Sequence, residues 1–151
     1  MLQLIYTSTA LTPFTSPEIS RLLLLARVNN QLAEITGMLV QRSNAFMQLL
    51  EGETDAVEQL FSKIVNDPRH CAVQVLRRAQ VETRTFPDWS LGFVQFSKGH
   101  TGQPAGLQQF FETKGQPFPG AGEAALQLLN EFRYANWRRT VDRGYAPVFA
   151  R

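Results

Sequence analysis

The chain has 151 residues, 44% apolar and 19% charged, a globular mixture with enough length to bury a core. Its single cysteine, Cys71, excludes an intramolecular disulfide framework and a multi-cysteine zinc site, and no apolar run approaches the ~18 residues of a membrane span. A net charge of +2, with an isoelectric point of about 9.0, is too small an excess to argue for nucleic acid.

Met1-Leu2-Gln3-Leu4 lacks the basic start and cleavage site of a signal peptide, so a cytoplasmic protein is expected. Leu2, Leu4, Tyr6 and Ser8 alternate with Gln3, Ile5 and Thr7, which predicts a first strand. Thr9 to Phe14 reads as a loop. Thr15 and Glu18 then form a capping box, with Pro17 tolerated in the first helical turn. Ile19, Leu22, Leu23 and Ala26 recur at helical spacing, predicting a helix over roughly 16–29 that frays at Asn29, Asn30 and Gln31. Two strands, 35–41 and 45–51, are joined by the turn Arg42-Ser43-Asn44. A second helix starts at Thr54 and Asp55, carries Val57, Leu60, Phe61, Ile64 and Val65 as its apolar stripe, and is stopped by Asn66-Asp67-Pro68. A long strand is expected from Ala72 to about Thr83, a turn at Phe86-Pro87-Asp88, and a last strand from Trp89 to Phe96.

The order β-α-β-β-α-β-β contains the ferredoxin-like split βαβ unit, an α+β sheet with two helices on one face. Beyond residue 96 the composition shifts toward Gly, Pro and Gln. A short helix is expected at Leu107 to Glu112 and a better one from Glu123 to about Asp142. Residues 97–151 therefore read as a helical C-terminal extension that caps the bare sheet face or docks a partner, attached to a domain over 1–96.

One residue is out of place. Phe46, Gln48 and Leu50 share a face of the third strand, so the Gln48 amide lies in apolar surroundings. A buried amide without partners costs ~1–3 kcal/mol, so something polar must meet it. Tyr6 on the neighbouring first strand and Asn29 or Asn30 at the end of the first helix are candidates. An internal hydrogen-bond cluster and a ligand site both satisfy this pattern.

Ordered tags then point to a family. Leu4-Ile5-Tyr6-Thr7-Ser8, Asn29-Asn30, Ile35-Thr36-Gly37-Met38-Leu39, Phe46-Met47-Gln48-Leu49-Leu50-Glu51-Gly52, Asp67-Pro68-Arg69-His70 and Arg84-Thr85-Phe86-Pro87-Asp88-Trp89-Ser90 run in family order over about 1–96. The chain resembles a BLUF domain, the flavin-binding blue-light sensor. The extension resembles that of short, effector-less BLUF proteins only in length and expected helices.

The resemblance implies an isoalloxazine ring held between the two helices, usually from FAD, with FMN or riboflavin as alternatives. Leu22 and Leu23 would flank it from one side, Phe61 and Ile64 from the other, with Phe46 and Asn29 also at the site. Asn30 matches the asparagine on the flavin carbonyl edge, Gln48 the glutamine between flavin and tyrosine, and Tyr6 the photoactive tyrosine. Asp67, Arg69, His70 and Lys63 fall near the ribityl-phosphate arm, where a lysine acts as a point charge. In the family account light makes the flavin an oxidant, tyrosine gives and recovers an electron and a proton, and the glutamine amide rearranges. Trp89 and Leu91 match the signal-transfer positions. Leu91 departs from the usual methionine, which bears on signal transfer and dark recovery.

The resulting expectation is a photoreceptor without catalytic activity, since cyclase or phosphodiesterase domains are longer than the extension. Its output would pass to a downstream protein partner or through a homo-oligomer, with neither membrane nor nucleic acid. A ferredoxin-like regulatory or RNA-binding module without a functional flavin is the alternative. An acylphosphatase-like hydrolase wants Gly and Arg in the loop after the first strand, and Thr9 to Phe14 has neither. Cys71 beside His70 has no third group spaced to assist catalysis, and His100, in a Gly-rich loop, reads as solvent-exposed.

Overall fold

The computed structural model describes residues 1–88 and 90–96, and the backbone of 148–149. The elements are β1 (Leu2–Ala10), α1 (Ser16–Leu32), β2 (Thr36–Arg42), β3 (Ala45–Gly52), α2 (Thr54–Val65), β4 (His70–Gln80), β5 (Gly92–Phe96) and β6 (Val148–Phe149). They form one sheet in the order β5-β2-β3-β1-β4-β6. All pairs are antiparallel except β2 with β5. This is the expected ferredoxin-like arrangement, with β1 between β3 and β4.

Register assigns the faces. Tyr6 lies opposite Gln48, Leu4 opposite Leu50 and Leu39 opposite Gln48, so these residues share the helix-bearing face. There they form two apolar clusters. Leu4, Tyr6, Leu50 and Val75 pack with Val57 and Phe61 of α2. Leu39, Phe46 and Leu91 pack with Ile19 and Leu23 of α1. Burying one such leucine or phenylalanine contributes about 1.5–3 kcal/mol. On the opposite face Ile5, Met38, Val40, Met47 and Leu49 are fully buried, with the polar Gln3 and Glu51 among them.

The capping box at the start of α1 is present in both directions between Thr15 and Glu18. The end of α1 differs from the sequence expectation by a turn. Asn29 and Asn30 do not fray; the helix runs to Leu32, capped by Ala33. The Glu34 N–H donates to the Gln31 carbonyl (3.2 Å) and the Ile35 N–H to the Asn30 carbonyl (2.8 Å). That is a Schellman ending, with Glu34 at φ 54° where glycine is usual. No glycine marks the stop, so the sequence pattern ends early.

β4 begins at His70 and ends at Gln80, earlier at both ends than expected, and β5 begins only at Gly92. Trp89 and the extension beyond Phe96, apart from the backbone of β6, lie outside the described residues. Among the described residues no helix is long and apolar enough to cross a membrane, and no group of three His, Cys, Asp or Glu could hold a metal ion.

Gly37 sets how closely β2 approaches β3. A Cβ there would lie 1.9 Å from the Leu49 carbonyl oxygen. Backbone cannot yield as a side-chain tip can, so Gly37→Ala is expected to cost about 3 kcal/mol. A fall in thermal midpoint checks this; an unchanged midpoint refutes it.

Candidate functional site

A cavity of about 240 Å³ opens between α1 and α2 over the helix-bearing face. α1 contributes Leu22, Leu25, Ala26, Asn29 and Asn30; α2 contributes Leu60 and Ile64. The floor is sheet, with Tyr6, Ser8, Leu39, Phe46 and Gln48. Leu91 and Phe14 complete the apolar wall, and Asp67, Arg69 and His70 add a polar part.

Tyr6 and Gln48 are directly opposed on neighbouring strands. The buried Tyr6 hydroxyl donates to Gln48 Oε1. Burial pushes the Tyr6 phenol far above its ordinary value, and the nearby Asp67 carboxylate adds to this, so Tyr6 stays neutral. Its ring packs against Phe61, with centroids 5.3 Å apart. Gln48 is buried too, and with Oε1 taken, its Nε2 has no partner among the described residues.

Asn30 is the second buried amide, only 1% exposed on the last turns of α1. Its Nδ2 donates to the Ser90 carbonyl (2.7 Å), which fixes the amide's direction because a carbonyl only accepts. The Oδ1 end is left without a partner among the described residues. One turn earlier Arg27 Nε donates to the Leu91 carbonyl (2.9 Å). α1 thus grips the chain just before β5, where Leu91 meets the cavity.

Asp67 and Arg69 flank Pro68 and close on each other, Arg69 Nε lying 2.9 Å and 3.0 Å from the two carboxylate oxygens. The Arg69 hydrogen bond, above all, holds the Asp67 carboxyl below its usual range, and Asp67 in turn raises Arg69. The ion pair therefore persists in mild acid and is lost as pH falls through that depressed value. His70 Nε2 meets the Ile64 carbonyl and so carries its proton there.

Ten of the residues singled out from the sequence come together here: Tyr6, Leu22, Asn29, Asn30, Phe46, Gln48, Ile64, Asp67, Arg69 and His70, with Leu91 beside them. Three lie off the cavity wall. Leu23 is buried against the sheet, Phe61 sits behind Tyr6, and Lys63 is exposed. Ser8, Phe14, Leu25, Ala26, Leu39 and Leu60 were not anticipated as lining. For Ser8 and Leu39 strand alternation carried the signal, since they share the face of Tyr6 and Gln48.

Residues 1–92 match the protein family described as BLUF, sensors of blue-light using FAD. Over 89 residues the chain is 36% identical to the photoactivated adenylate cyclase subunit beta of Euglena gracilis, a match covering 58% of this chain and 10% of that one. The chain thus spans about a tenth of that relative's length. Among solved structures, the dark state of BlrB, a BLUF protein, superposes with a TM-score of 0.63 at 25% identity, covering 94% of this chain and 95% of that one. Klebsiella pneumoniae BlrP1 with FMN and cyclic diGMP superposes with a TM-score of 0.72 at 27% identity, covering 91% and 36%.

Proposed function

The chain belongs to the BLUF family of flavin-binding blue-light sensors, and from that premise we propose that it takes FAD into the cavity between α1 and α2 and signals through Tyr6 and Gln48. The observation that carries this reading is a pair of orphaned polar ends on one apolar cavity. Gln48 Nε2 offers a donor and Asn30 Oδ1 an acceptor, both on buried side chains. Leaving them bare costs ~1–3 kcal/mol each, so a ligand with a matching acceptor and donor is favoured. The carbonyl and imide edge of an isoalloxazine has both, and Leu22, Ala26, Leu60 and Ile64 suit its apolar faces.

A bound flavin supplies absorption of blue light and, once excited, strong oxidising power. The residues supply orientation and a proton path. Tyr6 holds its proton on the bond to Gln48 Oε1, in a site that keeps the phenol neutral. Gln48 is the switching element: turning its amide end for end exchanges donor for acceptor with little change of shape. Asn30 passes any shift of the ligand edge to Ser90, and Arg27 holds Leu91 alongside. Asp67, Arg69 and His70 suit the polar arm of the cofactor, although Arg69 is already engaged by Asp67, which leaves exposed Lys63 as a further cation for a phosphate. The cyclase activity in the relative's name is that protein's. For this chain we infer an output through contact with another protein or through self-assembly, with the extension as cap or docking element.

The test is the visible spectrum in the dark, after blue light and during recovery. A flavin spectrum that shifts to the red and returns is expected; no flavin after reconstitution with FAD would overturn the reading. Asn30→Ala is expected to weaken flavin retention at least severalfold and to cost about 1 kcal/mol through the lost bond to Ser90. Retention and stability equal to wild type would reduce Asn30 to a bystander.

A further inference from the structure

α1 carries aliphatic residues on two sides. Its inner side sends Ile19 and Leu23 into the core. Its outer side exposes Leu24, Leu25, Val28 and Leu32, which are 65%, 59%, 50% and 81% accessible. At about 100° per residue these four fall, with Arg21, in one stripe about 100° wide. The outer face of α2 shows the ordinary alternative, with Asp55, Gln59, Ser62 and Lys63 exposed. A helix that is apolar on both sides is normally enclosed on both. Singly exposed aliphatic residues need no explanation, but four contiguous ones mark an interaction surface.

We propose that this stripe is the interface of a twofold dimer in which α1 packs antiparallel against α1 of a second copy. The stripe is self-complementary, as an isologous contact requires. A twofold axis at Val28 sets each Leu24 against Leu32 of the second copy. The charges choose the direction. Arg21 is exposed toward the start of the stripe and Glu34 is exposed just past its end. Antiparallel packing brings each Arg21 beside Glu34 of the second copy, whereas parallel packing brings like charges together. Four side chains bury less than the ~800 Å² per partner of a standard interface, so the dimer is weak, with a dissociation constant on the order of micromolar. The proposal rests on α1: Leu25 also lines the cavity and borders any bound flavin, while Leu24, Val28 and Leu32 lie off it.

The test is sedimentation of the full chain in the dark over about 1–200 µM. A monomer–dimer equilibrium is expected. The Leu24→Glu, Leu32→Glu double variant should be monomeric throughout, with unchanged far-ultraviolet circular dichroism, because both sites are exposed. Arg21→Glu and Glu34→Arg should each weaken the dimer about tenfold, and the two together should restore it to within about twofold. A monomer at every concentration, meaning that the extension or another protein covers the stripe, would overturn the proposal. So would a dimer indifferent to the leucine substitutions, or a charge-swapped double variant no tighter than its singles.

Discussion

Tyr6→Phe is expected to bind flavin normally and to lose the reversible red shift entirely. The substitution removes one oxygen and keeps the ring that packs on Phe61, so the shape of the cavity survives. What disappears is the only hydroxyl bonded to Gln48 among the described residues. Without it the Gln48 amide loses the partner that fixes its direction, and no proton can move along that bond. The cost in stability is about 1–3 kcal/mol for a buried acceptor left unmade. Spectra before and after blue light decide the matter: a complete photocycle in the variant would transfer the role to another residue. In the wild-type chain, burial raises the Tyr6 phenol, so it is the neutral form that the fold favours. Above about pH 10 the unfolded chain ionises this tyrosine while the folded chain does not. Stability should therefore fall as pH rises beyond that point, and less steeply in Tyr6→Phe.

Glu51→Leu is expected to destabilise the fold by about 3 kcal/mol or more. Glu51 is completely buried on the face opposite Gln48. Its carboxylate accepts from Gln3 Nε2 (2.7 Å), from the Thr85 N–H (2.8 and 2.9 Å) and from the Phe86 N–H (3.1 Å). Arg84 adds bonds to the Glu51 and Glu34 carbonyls, each 2.7 Å. Together these pin the segment after β4 to the middle of the sheet. Leucine matches the volume but supplies no acceptor, so these donors lose their bonds to Glu51 in a place water does not reach, and among the described residues Gln3 Nε2 keeps only Thr85 Oγ1 (3.0 Å). Glu51→Gln retains one oxygen and should lose less. Denaturant unfolding at constant slope measures both; equal midpoints for Leu and wild type would show that the donors find other acceptors.

Much of this arrangement is legible in the residues. Alternation along β1 and β3 puts Tyr6 and Gln48 on one face, and the β1–β3 pairing of the ferredoxin-like order brings them together. The capping box and the apolar stripes locate both helices. What stays hidden depends on distant backbone. The Glu51 acceptors look like a solvated charge until the Thr85 and Phe86 amides arrive from 34 and 35 residues away. Asn30 looks like a helix end until the Ser90 carbonyl, 60 residues on, claims its amide. Backbone groups have no letter in the sequence, so neither bond can be read from side chains alone.

β4 adds a point of bookkeeping by parity. Against β1 it shifts register twice, between Ile5 and Tyr6 and between Thr7 and Thr9, with Ala72 at φ 52° near the second shift. Each shift inserts one residue and exchanges the two faces; two together restore them. Val75 thus joins Tyr6 beneath α2, while His70, beyond both shifts, still reaches the cavity. An odd change of length between the shifts would send His70 to the wrong side of the sheet, whereas an even one would leave it in place. The strand is a counter modulo two, and natural length variation here should come in pairs.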